Sequence, residues 1–537
     1  MAKYDCIVIG GGHNGLVTAA YLARAGKRVC VLERRHVLGG CASSEELWPG
    51  YRVSPAAYVI SLMLPEVIAD LKLRLHGLTI LRRNPSSFTP LLDGRSLTMG
   101  PDEEATRAQI SQFSTADAAA YPRYEKLLEH VAAVIEPLLM KRAPQVVPLP
   151  KEWRTRSLPE RIRQTSELWT LYQSLGQLEG DLPEAVELLT GAARPMLERW
   201  FESEVLRATL ATDAIIGAFA SISSPGTAYV LLHHVMGRAT GQRGVWGYVQ
   251  GGMGGLADAL EASCKELRVD IVRECEVRKI LVDGGRVQGV AVDGGRTLTA
   301  TSVASSIDAE WTFRRLLDEN ELPAEFLRAV KRIDYSSASA KINLALGEAP
   351  RFLSSSGDQI GPEHQGTIHI APTLDYIEQA HADARQGRPS DEPVMEVTIP
   401  TSLDNTIAPE GKHLLSIFVQ YAPYQLQHDS WDDIKESFAD RCIELLGRYA
   451  PNLPAAVEHR QVLSPLDLER TYRLTGGNIF QGAMTPHQLY CFRPVAGWAD
   501  HRSPVRGLYL CGAASHPGGG VMGACGRNAA AAILQDL

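Results

Sequence analysis

Asp5-Cys6-Ile7-Val8-Ile9-Gly10-Gly11-Gly12-His13-Asn14-Gly15 is the stretch that decides the fold, and Val29-Cys30-Val31-Leu32-Glu33 completes it. An apolar run of strand length leads into a glycine turn. A helical stretch follows, with Leu16, Ala19, Ala20, Leu22 and Ala23 on one face, and a second apolar run ends in an acid. Gly10, Gly12 and Gly15 satisfy Gly-x-Gly-x-x-Gly: the first for the tight turn, the second for close approach to a pyrophosphate, the third for helix–strand packing. The helix is predicted from Asn14 to Ala25, with Gly26 as its C-terminal stop, and its positive end faces the phosphates. Glu33 lies 18 residues beyond Gly15, the spacing of an acid that binds a ribose hydroxyl pair. Because strand, turn, helix, second strand and acid agree, the unit predicts a bound dinucleotide held around Gly10, Gly12, His13, Asn14, Gly15, Glu33 and Arg34.

The chain's 537 residues suffice for two or three domains, and 45% hydrophobic with 22% charged residues is an ordinary globular balance. A net charge of -8 with no long run of one sign argues against nucleic acid as a partner. No apolar run approaches the ~20 residues of a membrane span; the longest, Ala214 to Ile222, is short. The first strand is reached by Cys6, which leaves no room for a leader. A cytoplasmic protein is expected, with peripheral membrane contact and self-association left open. Nine scattered cysteines include no Cys-x-x-Cys pair. Cys6, Cys30 and Cys511 read as small hydrophobes in strands, and Cys41 as structural. No metal is expected.

The choice between FAD and NAD comes from farther along. Gly39-Gly40, with Ala42 and Ser43 after them, resembles the extension of glutathione-reductase-type FAD domains, which simple NAD domains lack. Glu276 to Val282, Arg286 to Val292 and Arg296 to Ser305 are β-rich runs separated by Gly284-Gly285 and Gly294-Gly295. A three-stranded meander at this stage is typical of that FAD class, and by the resemblance the backbone of Val277 meets the adenine. Near the end, Gly507 to Gly512 reads as a buried strand, followed by a turn through Ala513, His516, Gly520, Val521 and Met522 into a last helix. Amides there, from Gly512 and Ala513 through Gly520 to Met522, are expected against the flavin pyrimidine edge. Gly251-Gly252-Met253-Gly254-Gly255 lacks a clear strand before it and an acid after it, and is read as the turn that leads the chain back; no NAD(P) site is expected. The fold class is therefore α/β. Residues 1–55, 245–310 and 500–537 form a discontinuous Rossmann-like FAD domain, and 56–244 with 311–499 form an inserted mixed α+β substrate domain with a helical cap.

Gly10 to Leu16, Gly39-Gly40, Gly247 to Met253, Gly476 to Ile479, Arg493-Pro494 and His516 to Val521 together resemble the phytoene desaturase-like flavoproteins. The branch is that of the pyridine nucleotide-disulphide oxidoreductase domain-containing protein 2 type and the carotenoid ketolases. The match runs over nearly the whole chain; its His-Asn-Gly and His-Pro-Gly-Gly-Gly elements are specific, and the remainder is shared by many flavoproteins. The redox cysteine pair that the branch's name suggests is absent. The resemblance implies FAD, hydride passing to flavin N5, and a hydrophobic substrate of carotenoid, polyene or acyl type that is desaturated, oxidised or isomerised, with oxygen or a quinone as acceptor.

In the substrate region, Ser86 to Met99 reads as a hairpin, and Lys341 to Leu346, Val394 to Ile399 and His413 to Tyr421 as strands. Leu127 to Met140, Pro183 to Leu197, Glu204 to Ala220 and Asp432 to Tyr449 read as helices. Lys141 to Ser157 reads as a loop, and Ser354 to Gln365 and His381 to Pro393 as mobile insertions. The apolar residues here suit an ordinary core as well as a tunnel; the resemblance favours the tunnel. His516 is the candidate catalytic residue, either bonding flavin or substrate or shaping its turn. Tyr58, Trp246 and Tyr472 are substrate candidates, with His233, His234, His487 and Arg493 as further cavity residues. Two alternatives stand beside the oxidoreductase of apolar molecules: an amine or amino-acid oxidase on the same fold, and a flavin-bound interaction protein without catalysis.

Overall fold

The computed structural model describes residues 3–143, 158–355, 357 and 359–537. Two seven-stranded sheets organise them. In the first, Val277–Asp283, Arg286–Val292, Thr297–Ser305, Tyr4–Ile9, Val29–Leu32 and Asp270–Val272 lie in that order, with Leu508–Leu510 also paired to Thr297–Ser305. Tyr4–Ile9 pairs in parallel with its neighbours, Cys6 opposite both Ser302 and Val29. Its run is apolar because both faces are covered. On one side the first helix, His13–Arg24, packs against Gly254–Glu266 and the last helix, Ala524–Asp536. On the other lie Ala309, Phe313, Phe326 and Val505. Contact between the first and last helices is close: a Cβ on Gly526 would stand 2.3 Å from the Asn14 carbonyl, and Thr18 Oγ1 donates to the Gly526 carbonyl at 3.1 Å. The strand Thr297–Ser305 belongs to two patterns. Its first residues close the antiparallel meander, Thr299 opposite Gly289, and its last run parallel to Tyr4–Ile9 and Leu508–Leu510.

The second sheet has the order Val457–Leu463, Ser339–Leu346, His413–Gln420, Val394–Thr398, Thr367–Ile370, Ser87–Pro90, Ser96–Met99. It is antiparallel except between Thr367–Ile370 and Ser87–Pro90. One face packs under Trp431–Gly447 in a core of Ile342, Ile417, Val397, Ile368, Phe438 and Leu446; the other faces the cavity described below. Helices Thr115–Leu139, Leu158–Gly176, Leu182–Thr190, Ala193–Trp200, Glu204–Thr212 and Thr227–Val235 form the cap. Buried Asp117 ties two of them, accepting from the amides of Glu202 and Ser203 at 2.8 Å each.

Several sequence expectations are corrected. The single helix expected from Pro183 to Leu197 breaks at Gly191, whose Cβ would sit 2.7 Å from the Glu187 carbonyl. The helix expected from Glu204 to Ala220 stops at Thr212, where the Ile215 and Ala218 carbonyls turn to accept from the Gln420 side chain. His381 lies inside the helix Leu374–Arg385 rather than a mobile insertion. The chain after it is anchored on buried Asp383, which accepts from Gln379, Arg388 and Ser390. Ser354 to Gln365 likewise holds buried His364, which bonds the Gly361 amide and the Pro350 carbonyl. Most of the loop expected at Lys141 to Ser157 lies outside the described residues. Among the described residues no helix is long and apolar enough to cross a membrane.

Candidate active site

One continuous cavity of about 640 Å³ runs between the two sheets. Its first section is a cradle at the N-terminus of the first helix. Gly12 caps that helix with no side chain bonded to its amides; a Cβ there would meet only the Gly39 carbonyl, at 3.9 Å, so the space before the amides is open. Gly10 needs its φ of 92° for the turn. Gly15 does not line the cavity; its Cβ would lie 2.2 Å from the Gly10 carbonyl, so its absence lets helix and strand meet. The Gly39 amide donates to the Gly11 carbonyl at 2.8 Å, which binds the second glycine pair to the first. Glu33 is buried and oriented: the Gly11 amide donates to Oε2 and the Arg35 amide to Oε1, each at 2.8 Å. Arg34 is held by the Thr471 carbonyl. Val277 also borders this section.

FAD fits this cradle on two observations. His13 Nε2 and Asn14 Oδ1 are buried without a hydrogen-bond partner, and both residues line the cavity. Burial without a partner costs about 1–3 kcal/mol per group, so such atoms await a ligand. Burial also lowers the His13 pKa to about 4, leaving an uncharged ring with one donor and one acceptor beside the open amides. The Gly251 to Gly255 turn offers no comparable site. Its amides are already engaged: Gly251 donates to Asp404, Met253 to Ser54 and Gly254 to Ser44.

The C-terminal turn forms the next section. Ala513, Gly520 and Val521 line the cavity, and Val521 holds a left-handed φ of 57°, a strained conformation for a β-branched residue. Leu62 and Phe480 stand against Gly520 and Gly519. Gly512 and Met522 do not line the cavity: Gly512 packs on the Ser306 carbonyl, and the Met522 carbonyl accepts from the Leu64 amide. Ala42 and Ser43 are also buried behind the wall, and Cys41 takes their place on it. His516 is corrected too. It lies outside the lining, buried edge-to-face against Tyr490 at 5.3 Å, because the turn carries its side chain away from the face that Gly520 presents. Arg493, His233 and His487 are likewise off the wall. Fully buried Arg493 donates to the carbonyls of Ala513 (2.8 Å), Phe480 (2.5 Å), Gly482, Ala483 and Gln488, and so pins the 480–488 loop to the turn.

The third section is bounded by the second sheet and the cap. Tyr58, Trp246 and Tyr472 line the cavity, as does His234, which stacks on Trp246 at 5.9 Å. Sequence reasoning missed a row of polar residues here. Lys341 pairs with Phe418, Phe418 with Glu396, and Glu396 with His369 across four adjacent strands, so all four point to one face. Arg83, Tyr124 and Asp213 join them on the wall. Tyr58 OH donates to Glu396 Oε2 at 3.4 Å. Lys341 lies 4.1 Å above the Tyr58 ring and donates to Ser416. Burial pushes Glu396 up to about 8, with help from the nearby Asp213 charge, and pushes Asp213 up to about 7 against the pull of Arg83. Burial also drives Lys341 well down toward its neutral amine and His369 down to about 3. The signal available in the sequence was a charge set among apolar neighbours: Lys341 in Ala340–Leu346, and Glu396 between Met395 and Val397.

Comparison with known proteins places this architecture. A family model described as flavin containing amine oxidoreductase matches residues 15–534. Pyridine nucleotide-disulfide oxidoreductase domain-containing protein 2 of Rattus norvegicus is 46% identical, covering 100% of this chain and 94% of that protein. Phytoene desaturase of Cercospora nicotianae is 23% identical, covering 96% of this chain and 86% of its own. A putrescine oxidase variant redesigned in cofactor binding superposes with a TM-score of 0.59 at 16% identity, covering 99% of both chains, a likeness of fold. The disulfide in the rat relative's name has no counterpart among the described residues, where no two cysteines are bonded to each other.

Proposed function

The chain belongs to the flavin-containing amine oxidoreductase family and is an FAD-dependent oxidoreductase, and from that premise we propose that it acts on an apolar substrate of polyene or acyl type, by desaturation, oxidation or isomerisation. The observation that carries this reading is the wall that adjoins the C-terminal turn: Leu62, Leu231, Val235, Trp246, Ile479 and Phe480. FAD, when bound, supplies the two-electron acceptor, with oxygen or a quinone taking the electrons on.

The chain's own residues do the rest. The glycine cradle and oriented Glu33 would hold the nucleotide half of the cofactor, and Arg493 keeps the turn and the 480–488 loop in register. The apolar wall excludes water, which strengthens every electrostatic interaction inside. Burial raises Glu396 to about 8, which favours its protonated carboxyl at neutral pH, and shifts Lys341 downward. An amine substrate is the second reading, favoured by the carboxyls of Asp213 and Glu396.

Purified protein is expected to be yellow and to bleach anaerobically with apolar donors from a panel of carotenoids, fatty acids and amines. Protein that stays colourless with added FAD overturns the cofactor reading; bleaching by amines alone, with peroxide released in air, selects the second.

A further inference from the structure

The wall formed by the second sheet is not apolar, although the substrate read above is. Arg83, Asp213, Glu396, His369, Lys341, Tyr58 and Tyr124 converge on the cavity, and two of their polar atoms have no partner. Tyr124 OH is buried without a hydrogen bond on a residue 1% exposed, and Arg83 Nε on a residue 2% exposed. The Arg83 guanidinium donates through Nη1 to Thr367 at 2.8 Å and lies 5.6 Å from the centre of the Tyr248 ring, and among the described residues no carboxylate forms an ion pair with it. Most buried polar groups are hydrogen-bonded, and these two belong to residues on the cavity wall, where a ligand can meet them.

We propose that this wall seats one hydroxyl group on an otherwise apolar substrate, which is thereby an amphiphile and not a plain hydrocarbon. The proposal rests on the oxidoreductase reading above and names its substrate more closely. A hydroxyl oxygen accepts from Arg83 Nε or Tyr124 OH while its own proton goes to a carboxylate oxygen of Asp213, so one group satisfies donors and acceptor together. The electrostatics point the same way. Burial raises Asp213 to about 7 and Glu396 to about 8 and shifts His369 and Lys341 downward, so the wall disfavours charge of either sign. An alkyl carboxylate would add an anion beside two acids. An ammonium would add a cation beside Arg83 and Lys341. Burying an unpaired charge costs far more than burying a hydroxyl whose hydrogen bonds are made.

The test uses the FAD-loaded protein and four probes that share one chain: decane, 1-decanol, decylamine and decanoate. Isothermal calorimetry reads head-group preference, and visible absorbance separately reads flavin content, so failure of the flavin reading and failure of this proposal are distinguishable. The expected result is decanol binding at least about ten-fold tighter than the other three, the scale of one satisfied buried hydrogen bond. Tyr124→Phe is expected to weaken decanol about five-fold or more while leaving decane binding and thermal stability unchanged, because the removed hydroxyl bonds nothing in the protein. Asp213→Asn, which keeps an acceptor oxygen, is expected to retain the decanol preference, and Asp213→Leu to weaken it. Equal affinity for decane and decanol, tighter binding of decylamine or decanoate, or indifference of decanol to Tyr124→Phe and Asp213→Leu alike, overturns the proposal.

Discussion

Glu396 illustrates what one buried side chain sets. Its ordinary pKa of 4.5 rises to about 8 in the fold, so between those values the unfolded chain ionises the group while the folded chain keeps it protonated. The folded state then binds more protons, and stability falls as pH rises through that window. The expected outcome is a melting temperature that declines between pH 4.5 and about 8, with a shallower decline in Glu396→Gln; equal slopes in the two proteins count against the assignment. Arg493 acts by geometry instead. Five backbone carbonyls accept from one guanidinium, a number that an ammonium with three donors cannot match. Arg493→Lys is expected to cost about 2–4 kcal/mol in urea unfolding and to lower flavin retention, since the loop it ties contributes Phe480 and Gln481 to the cavity. Residue roles of this kind were only partly legible beforehand. Gly10, Gly12 and Gly15 declare themselves because backbone sterics admit little else. Asp213, Glu396 and Arg83 come from distant segments, and only the tertiary fold makes them neighbours. His516 misled for the opposite reason: standing in sequence beside Gly518–Gly520 does not place a side chain on their face of the turn.

At the scale of elements, the second sheet sorts two rows by the pleat alone. Lys341, Phe418, Glu396 and His369 share the cavity face; one residue away, Ile342, Ile417, Val397 and Ile368 pair across the same strands and face the core. A slip of one residue would exchange the rows, burying the charges in hydrocarbon and lining the cavity with isoleucine. Register is therefore strongly determined. Ile417→Ala is expected to cost about 2–5 kcal/mol, read by chemical unfolding, while leaving the cavity-facing row and ligand preference as they are. Strand positions were legible from alternation, but their order was not, since hydrogen-bond partners leave no mark in a single sequence. The cap helices were legible as apolar, and their ends were missed at Gly191 and Thr212, where tertiary contacts stop them.

For the whole molecule, the cofactor cradle draws on residues early and late in the chain, so ligand and fold are thermodynamically linked. FAD at about 100 times its dissociation constant is expected to add about 2.7 kcal/mol of stability. Protein stripped of flavin by mild denaturant should accordingly melt several degrees lower and recover on reconstitution. An unchanged melting temperature would mean that the cavity binds no such ligand. The discontinuous pattern was readable because each of its pieces carries glycines in recognisable order; the cavity's second wall carries no such punctuation.

The close packing of the first helix on the last, with Thr18 bonded to Gly526 and Gly520 on the cavity wall, sets an order of events during synthesis. The glycine turn at residue 10 leaves the ribosome long before the wall opposite it. A nascent chain therefore has half a grip until that wall emerges. Full capture of the prosthetic group must wait for the turn at Gly520 and the helix Ala524–Asp536, and polypeptides cut short before them should be flavin-free, however intact their nucleotide motif.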